Sequence, residues 1–438
     1  MKGLILTYLL AYGGALIALF SPLFGLCVYV AFSVARPQLL YGWAGDMSGL
    51  SRVVGVAVLA GWAFKAFGHW SLREARLPVL ALCGYFAFLL LSAAFASHQA
   101  VAWESVIEQF KFFLPLLAGV TLIRTRAQVN ALAWTMVVAQ GLVGLEMNLS
   151  YLRGFNHARQ MGLLGDNNTF AVSLVTMVGP ALFLGFSASR WWQKALAFTC
   201  AALTTHTVLL TFSRGGILSL IVAGIATLVI MPKRPAYLLA VVLAAALAVR
   251  FTGPELLKRF QTSFATEQER DISAQSRIDL WRDCFTVMVE NPVTGIGPRH
   301  WPLVAASYGW PEGKAAHTYW LEVGAEIGVP GLLFLIVFFA SSLLRAWQLS
   351  RRRDDPWLAA MGGFAFAGLV GFACGAQFVT SEGIEVPFFV ALVGLAALEV
   401  AGQAPAPTAS DRLRQGTARM PVLAQQALQA QGSRRAAR

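Results

Sequence analysis

Charge is scarce in this chain. Of its 438 residues only 13% are Asp, Glu, Lys or Arg, while 57% are hydrophobic; a soluble domain carries about 25% charged residues. A soluble reading would need a core larger than the surface around it, which surface-to-volume scaling forbids. That excludes a soluble globular protein and leaves an integral membrane protein with many helices. Cysteine is scarce as well. Cys27, Cys83, Cys200, Cys284 and Cys374 contain no CxxC pair, and four of the five lie in apolar runs, so neither a disulfide frame nor a zinc site is supported. No internal repeat is visible. The apolar N-terminus with its single Lys2 has no small-residue cleavage site leading into a polar mature domain, and reads as the first membrane segment. The formal charge of +12 is explained by the excess of Lys and Arg in the cytoplasmic loops of membrane proteins. No basic stretch interleaved with aromatics is present, so nucleic acid is not an expected partner.

What the chain does have is apolar runs. They fall at 3–20, 22–35, 50–67, 78–96, 111–123, 129–149, 169–186, 194–211, 215–231, 236–251, 318–344, 357–377 and 384–400, many of them near the ~18 residues that read as a membrane span. The first two, joined at Ser21-Pro22, read either as a tight hairpin or as one broken crossing. The count is therefore 12 or 13, with 12 favoured. One set of loops carries Arg73 and Arg76, Arg124 and Arg126, Arg190 and Lys194, Lys233 and Arg234, Arg345 with Arg351-Arg352-Arg353, and the arginine-bearing tail after Gly402. The alternate set carries Arg36, Arg52, Lys111, Arg153, Arg159 and Arg214. The first set is expected to be cytoplasmic. The resulting division is membrane helices over 1–251, a large periplasmic loop over 252–316, membrane helices over 317–401, and a cytoplasmic tail over 402–438 whose Ala-, Gln- and Pro-rich composition predicts disorder. The loop carries seven Lys/Arg and eight Asp/Glu. It is expected to be a structured, mainly helical cap, with Ile278, Trp281, Phe285 and Met288 on one apolar face and Asn291-Pro292 ending that helix.

Candidate chemistry gathers on the far side. In LLTFSRGGILSL, Arg214 stands between two apolar runs, where a guanidinium is costly without a partner. It reads either as a topological anchor or as an anion site, with Ser213 and the backbone N–H groups at Gly215-Gly216 as further donors. A diphosphate suits the planar fork of arginine. In YLRGFNHARQMGLLGDNNTF, Arg159 is the preferred second phosphate ligand, and Asp166 or Asn167 a helix cap. Arg277 in QSRIDLWRDC would by itself be an ordinary surface arginine. The glycines of NPVTGIGPRHW predict a tight turn that returns the loop over the membrane. In KAAHTYWLEVGAEIGVPGLL, His317 is set at the start of a long apolar helix with Tyr319 and Glu322, and its near-neutral pKa makes it usable as a general base. No D-x-D pair stands in a far-side loop, and no glycosidase-like pair of carboxylates is evident.

Taken together, SRGG at a helix start, SRIDLW and NPVTGIG in a large loop, and HTYWLEVGAEIGVPGLL at its exit resemble the O-antigen ligase and polymerase superfamily. His317, Tyr319, Glu326, Gly328 and Gly331 carry the last element, with Thr318 where asparagine is common. The resemblance implies an all-α, GT-C-like polytopic membrane enzyme of the bacterial inner membrane with its site facing the periplasm, needing no metal or other cofactor. It implies a glycosyltransferase acting on an undecaprenyl-diphosphate-linked glycan donor and a lipid A–core oligosaccharide acceptor, with inversion at the anomeric carbon. It further implies that Arg214 and Arg277 contact the diphosphate and that His317 is the base; Arg159 rests on its placement alone, and Ser213 and Tyr319 are supporting candidates. Close alternatives are an O-antigen polymerase or a protein O-glycosylation ligase. An alternative of another class is a lipid-linked glycan transporter, which would call for charges near the bilayer midplane, where Glu146 and His206 are the candidates.

Overall fold

The computed structural model describes residues 2–40, 49–160, 166–233, 235, 237, 272–380 and 383–403. Among them there are helices and no strands. The longer helices are α1 (Lys2–Phe20), α2 (Pro22–Ala35), α3 (Leu50–Phe64), α4 (Arg76–Phe95), α5 (Gln99–Leu122), α6 (Arg126–Leu152), α7 (Asn167–Ser187), α8 (Trp191–Leu210), α9 (Arg214–Ile230), α10 (Ile272–Glu290), α11 (Tyr319–Ser350), α12 (Pro356–Gly375) and α13 (Val386–Gln403). Seven stretches of the described residues are long and apolar enough to cross a membrane: Gly3–Phe20, Arg76–Phe95, Gln99–Leu122, Arg126–Leu152, Asn167–Ser187, Tyr319–Ser350 and Pro356–Phe378. Four shorter apolar helices, α2, α3, α9 and α13, accompany them. The regular structure of the described residues is thus all helical, and their spans make the chain a multi-pass membrane protein. The expected run at 236–251 apart from residue 237, the first part of the loop at 252–271 and the tail beyond 403 lie outside the described residues. Residues Met1–Val400 form one compact unit and 401–438 a second, of which only 401–403, the end of α13, are described.

The elements start where the sequence supplies caps. Thr125 and Gln128 form a reciprocal capping box at α6, satisfying two of the donors that a helix start leaves open. Asp166 caps α7 and Asp355 caps α12, the latter with Pro356 in the first turn. The Ser21-Pro22 junction proves to be a hairpin: a Cβ on Gly25 would meet Ala18, and one on Gly14 would meet Val28, so α1 and α2 run antiparallel. Helix α5 begins well before its apolar run, because no glycine or proline stands between Gln99 and Lys111; Pro115 lies farther along, inside the helix.

Contacts between loops sort the bundle into two ends. At one, Arg345 pairs with Glu74 at 2.6 Å, Arg126 pairs with Asp355 and lies over Trp357, and His69 N–H donates to Thr121 O. Glu399, 1% exposed, accepts the N–H groups of Arg73 and Ala75 at 3.0 Å each. A buried carboxylate is tolerable only with such donors, and this one also caps α4 with negative charge. At the other end, Arg36 donates to Gly383 O at 2.8 Å, His98 N–H donates to His300 Nε2 at 3.0 Å, and Gln377 donates to Thr318 Oγ1 at 3.2 Å. The arginine-dense loops pair with one another, and the candidate residues all lie at the opposite end.

In α10 the buried stripe is Leu280, Cys284, Val287 and Met288, packed on Trp301 and Ala325. The expected face holds for Met288 but not for Ile278 and Phe285, which are about half exposed. Two apolar stripes share this helix, and spacing alone does not say which one packs. As expected, the helix ends at Glu290, before Asn291-Pro292.

Candidate active site

Residues 210–214 form an elbow between α8 and α9. Phe212 adopts a left-handed conformation, φ +53°, uncommon for a bulky side chain and concentrated at functional sites. Three asparagines hold the elbow. Asn156 donates to Leu210 O at 2.9 Å, Asn167 donates to Thr211 O at 3.0 Å, and Asn168 accepts from Ser213 Oγ at 2.7 Å. Ser213 is buried and caps α9, its Oγ accepting Gly216 N–H at 3.1 Å. Both hydrogen-bonding roles of this hydroxyl are used within the protein, so Ser213 shapes the elbow, and the Gly216 N–H is already taken. Arg214 then opens α9 with its side chain exposed. Gly215 packs so closely on Phe378 that a Cβ would lie 2.7 Å away.

Arg159 arrives from the one-turn helix 157–160. Its N–H donates to Asn156 Oδ1 at 3.1 Å, and its guanidinium lies 5.1 Å from the centroid of the Phe212 ring. Asn156 and Phe212 therefore set Arg159 against the elbow that leads into Arg214. Sequence reasoning missed both. Asp166, not Asn167, caps α7: it accepts from Thr169 N at 2.9 Å and from Asn168 Nδ2 at 3.1 Å.

His317 lies outside the helix it was expected to start. It occupies a bend at φ +52°, and α11 begins at Tyr319. Its carbonyl accepts from Trp281 Nε1 at 3.3 Å, and Trp281 lies 6.3 Å from Phe378, ring to ring. Phe378 thus links the Arg214 elbow to the His317 bend. The imidazole is half-buried, and its Nδ1 has no hydrogen-bond partner among the described residues. Burial lowers its pKa below the ordinary 6.5, the Arg277 guanidinium lowers it further, Asp166 opposes this, and Lys314 adds a smaller lowering. The ring is accordingly neutral at neutral pH, with Arg277 and Asp166 close enough for their fields to reach it. Tyr319 is buried against Trp320 and Phe372, a packing position behind the bend.

A second junction fixes the base of the loop. Glu326, 3% exposed, accepts Arg299 N–H at 2.8 Å and Trp301 N–H at 2.9 Å, while its own carbonyl accepts Gly297 N–H at 2.9 Å. Helix α11 breaks at Gly328, φ +86°, and Gly295, φ +66°, lies against Glu326. This is the expected tight turn. A Cβ on Gly295 would lie 2.3 Å from the Glu326 carbonyl carbon. Gly295→Ala is expected to lower the melting temperature by at least several degrees in detergent, because it meets both backbone and a left-handed φ; Gly313→Ala, also at positive φ but with open space around it, should cost less.

Among the described residues no group of three His, Cys, Asp or Glu is arranged to hold a metal. His206, a midplane candidate in sequence, bonds Asn148 through Nδ1 within four residues of the α8 terminus, near the elbow.

Residues 198–336 match a family model described as O-antigen ligase. The matched stretch contains SRGG, Arg277, the 295–301 turn and His317 through Gly331, so the resemblance to the O-antigen ligase superfamily holds over the segment whose motifs carry it. Residues 1–178, which include Arg159 and Asp166, match a family of unknown function (DUF5935). No curated protein matches the chain.

Proposed function

We propose that the chain is a glycosyltransferase of the O-antigen ligase type, moving a glycan from undecaprenyl diphosphate to lipid A–core oligosaccharide at the periplasmic face of the inner membrane. The observation that carries this reading is a convergence. Arg159, Arg214, Arg277 and a histidine held neutral come from four separate segments to one end of a membrane bundle. A polyprenyl diphosphate presents its charge at that depth, with its tail among the helices. The guanidinium groups stabilise the charge growing on the leaving diphosphate. His317 takes the proton from the acceptor hydroxyl. The hydroxyl oxygen bonds to the anomeric carbon as the bond to the diphosphate oxygen breaks, which inverts that carbon. In this reading the apolar runs of the sequence, with α1 and α2 crossing separately, make thirteen crossings rather than the favoured twelve, in a GT-C-like arrangement, and arginine does the work a divalent ion would otherwise do. Transfer should persist in EDTA; activity lost to EDTA and restored by Mg²⁺ would overturn that part.

The electrostatics around His317 give a sharper test. A base must be unprotonated, so kcat/KM should fall as pH drops through the His317 pKa, which lies below 6.5. Removing the Arg277 charge raises that pKa, and removing the Asp166 charge lowers it. Arg277→Gln should move the acid limb to higher pH, and Asp166→Asn should move it to lower pH. Asparagine keeps the cap on Thr169 N–H and gives up the bond from Asn168 Nδ2, so an unchanged melting temperature is the control that the second shift comes from the lost charge. A pH–rate profile in which neither variant moves the limb would exclude His317 as the titrating base.

A further inference from the structure

A groove lies on the outer face of the bundle between α1 and α3. Helix α1 packs on α2 and α3, whereas α9 packs on α7, α8 and α12, so the groove belongs to a different flank from the Arg214 elbow. It is an open surface groove of about 570 Å³, comparable in volume to the ~300–1,000 Å³ of ligand-sized clefts. Ala15, Ala57 and Ala60 leave the space, and Leu16 and Val56 form rims that are 63% and 68% exposed. The polar exception in the lining is Arg52.

Arg52 lies in the first turn of α3. The far end of α3 reaches the arginine-dense end, where Gly68 lies against Thr121, so Arg52 is at the same end as His317. Among the described residues it has no hydrogen-bond or ionic partner, in contrast to Arg36, Arg126 and Arg345. A guanidinium at the edge of a bilayer needs an anion or water, and a headgroup phosphate at that depth fits its fork. Below it the apolar trough continues to Ala60, eight residues of helix or roughly 12 Å. Inorganic phosphate would gain nothing from such a trough, and in a zwitterionic phospholipid the phosphate charge is already balanced by the headgroup's own cation, which leaves the Arg52 charge less well matched than an anionic lipid does.

We infer that this groove binds one anionic glycerophospholipid, an acyl chain along the alanine floor and the phosphate on Arg52. The site is independent of the proposed transfer reaction. The test is lipid retention. Full-length protein is reconstituted in nanodiscs of equal phosphatidylglycerol and phosphatidylcholine, released into mild detergent, and its bound lipid counted by native mass spectrometry. Wild type should keep one phosphatidylglycerol, undisplaced by inorganic phosphate. Arg52→Gln should lose the preference for phosphatidylglycerol at least fivefold, and Ala60→Phe should lose bound lipid of both kinds. Leu80→Phe, on an equally apolar exposed site of α4, should behave as wild type. An unchanged lipid ratio in Arg52→Gln, which alters only an exposed side chain and keeps the fold, would overturn the assignment, as would full retention in Ala60→Phe.

Discussion

His317→Asn is expected to lower transfer by roughly 10²–10⁴-fold, the range that a positioned general base contributes, while the protein inserts and melts as wild type does. Asparagine is the informative replacement because the bend at φ +52° is one that His and Asn adopt more readily than most residues. It keeps the backbone and removes the base. His317→Ala should be equally inactive and also less stable, since alanine does not favour that φ. The difference between the two variants separates chemistry from folding. The loss should appear in kcat, measured with purified protein, lipid-linked glycan and lipid A–core, because the imidazole acts on the proton in flight rather than on bound donor. Trp281, Phe378 and the Thr318–Gln377 bond hold the bend in place in either variant.

Arg214→Ala is the second large effect, roughly 10²–10³ in kcat. Arg214→Lys should recover only part of it, because an ammonium lacks the fork that engages two phosphate oxygens. The stability readout should move the other way. Arg214 is the first residue of α9, where the helix dipole makes a cation unfavourable by a few tenths to about 1 kcal/mol. Removing it should leave the melting temperature unchanged or slightly raised. A topological anchor would give the opposite pair: activity kept, insertion or stability lost. A cation at a position that local energetics disfavours fits an anion site better than a structural role.

Much of this arrangement can be read in the sequence for simple reasons. Composition forces a membrane bundle. The positive loops sort into two sets, and the contacts Arg345–Glu74 and Arg126–Asp355 join loops of the same set. SRGG, Arg277 and His317 could be picked out because their types and order are unusual in an apolar chain. Other features depend on long-range contacts that leave no local trace. Asn156, Asn167 and Asn168 read as loop and cap residues, and only folding shows that their amides hold residues 210–213. Phe212 looks like one more apolar residue until its ring is found under Arg159. Ser213 has the chemistry of a donor to ligand, but its hydroxyl is used in capping and in bonding Asn168. In α10 two apolar stripes compete, and the choice of Leu280, Cys284 and Val287 is made by Trp301 and Ala325. The break at Gly328 was hidden in a hydrophobic run that continues through it, although the carboxylate of Glu326 nearby gave a signal: a buried acid there needs backbone donors, and the 299–301 turn supplies them.

The central claim is that guanidinium groups from three segments meet one polyprenyl diphosphate. Equilibrium binding of undecaprenyl diphosphate to purified protein tests it most directly, with Arg159→Gln, Arg214→Gln and Arg277→Gln compared against Arg190→Gln at the opposite end. The account predicts that each of the first three weakens binding about tenfold or more, the loss expected for one charge-assisted bond to phosphate, and that Arg190→Gln binds as wild type. Wild-type affinity in all three site variants, or an equal loss in Arg190→Gln, would contradict it.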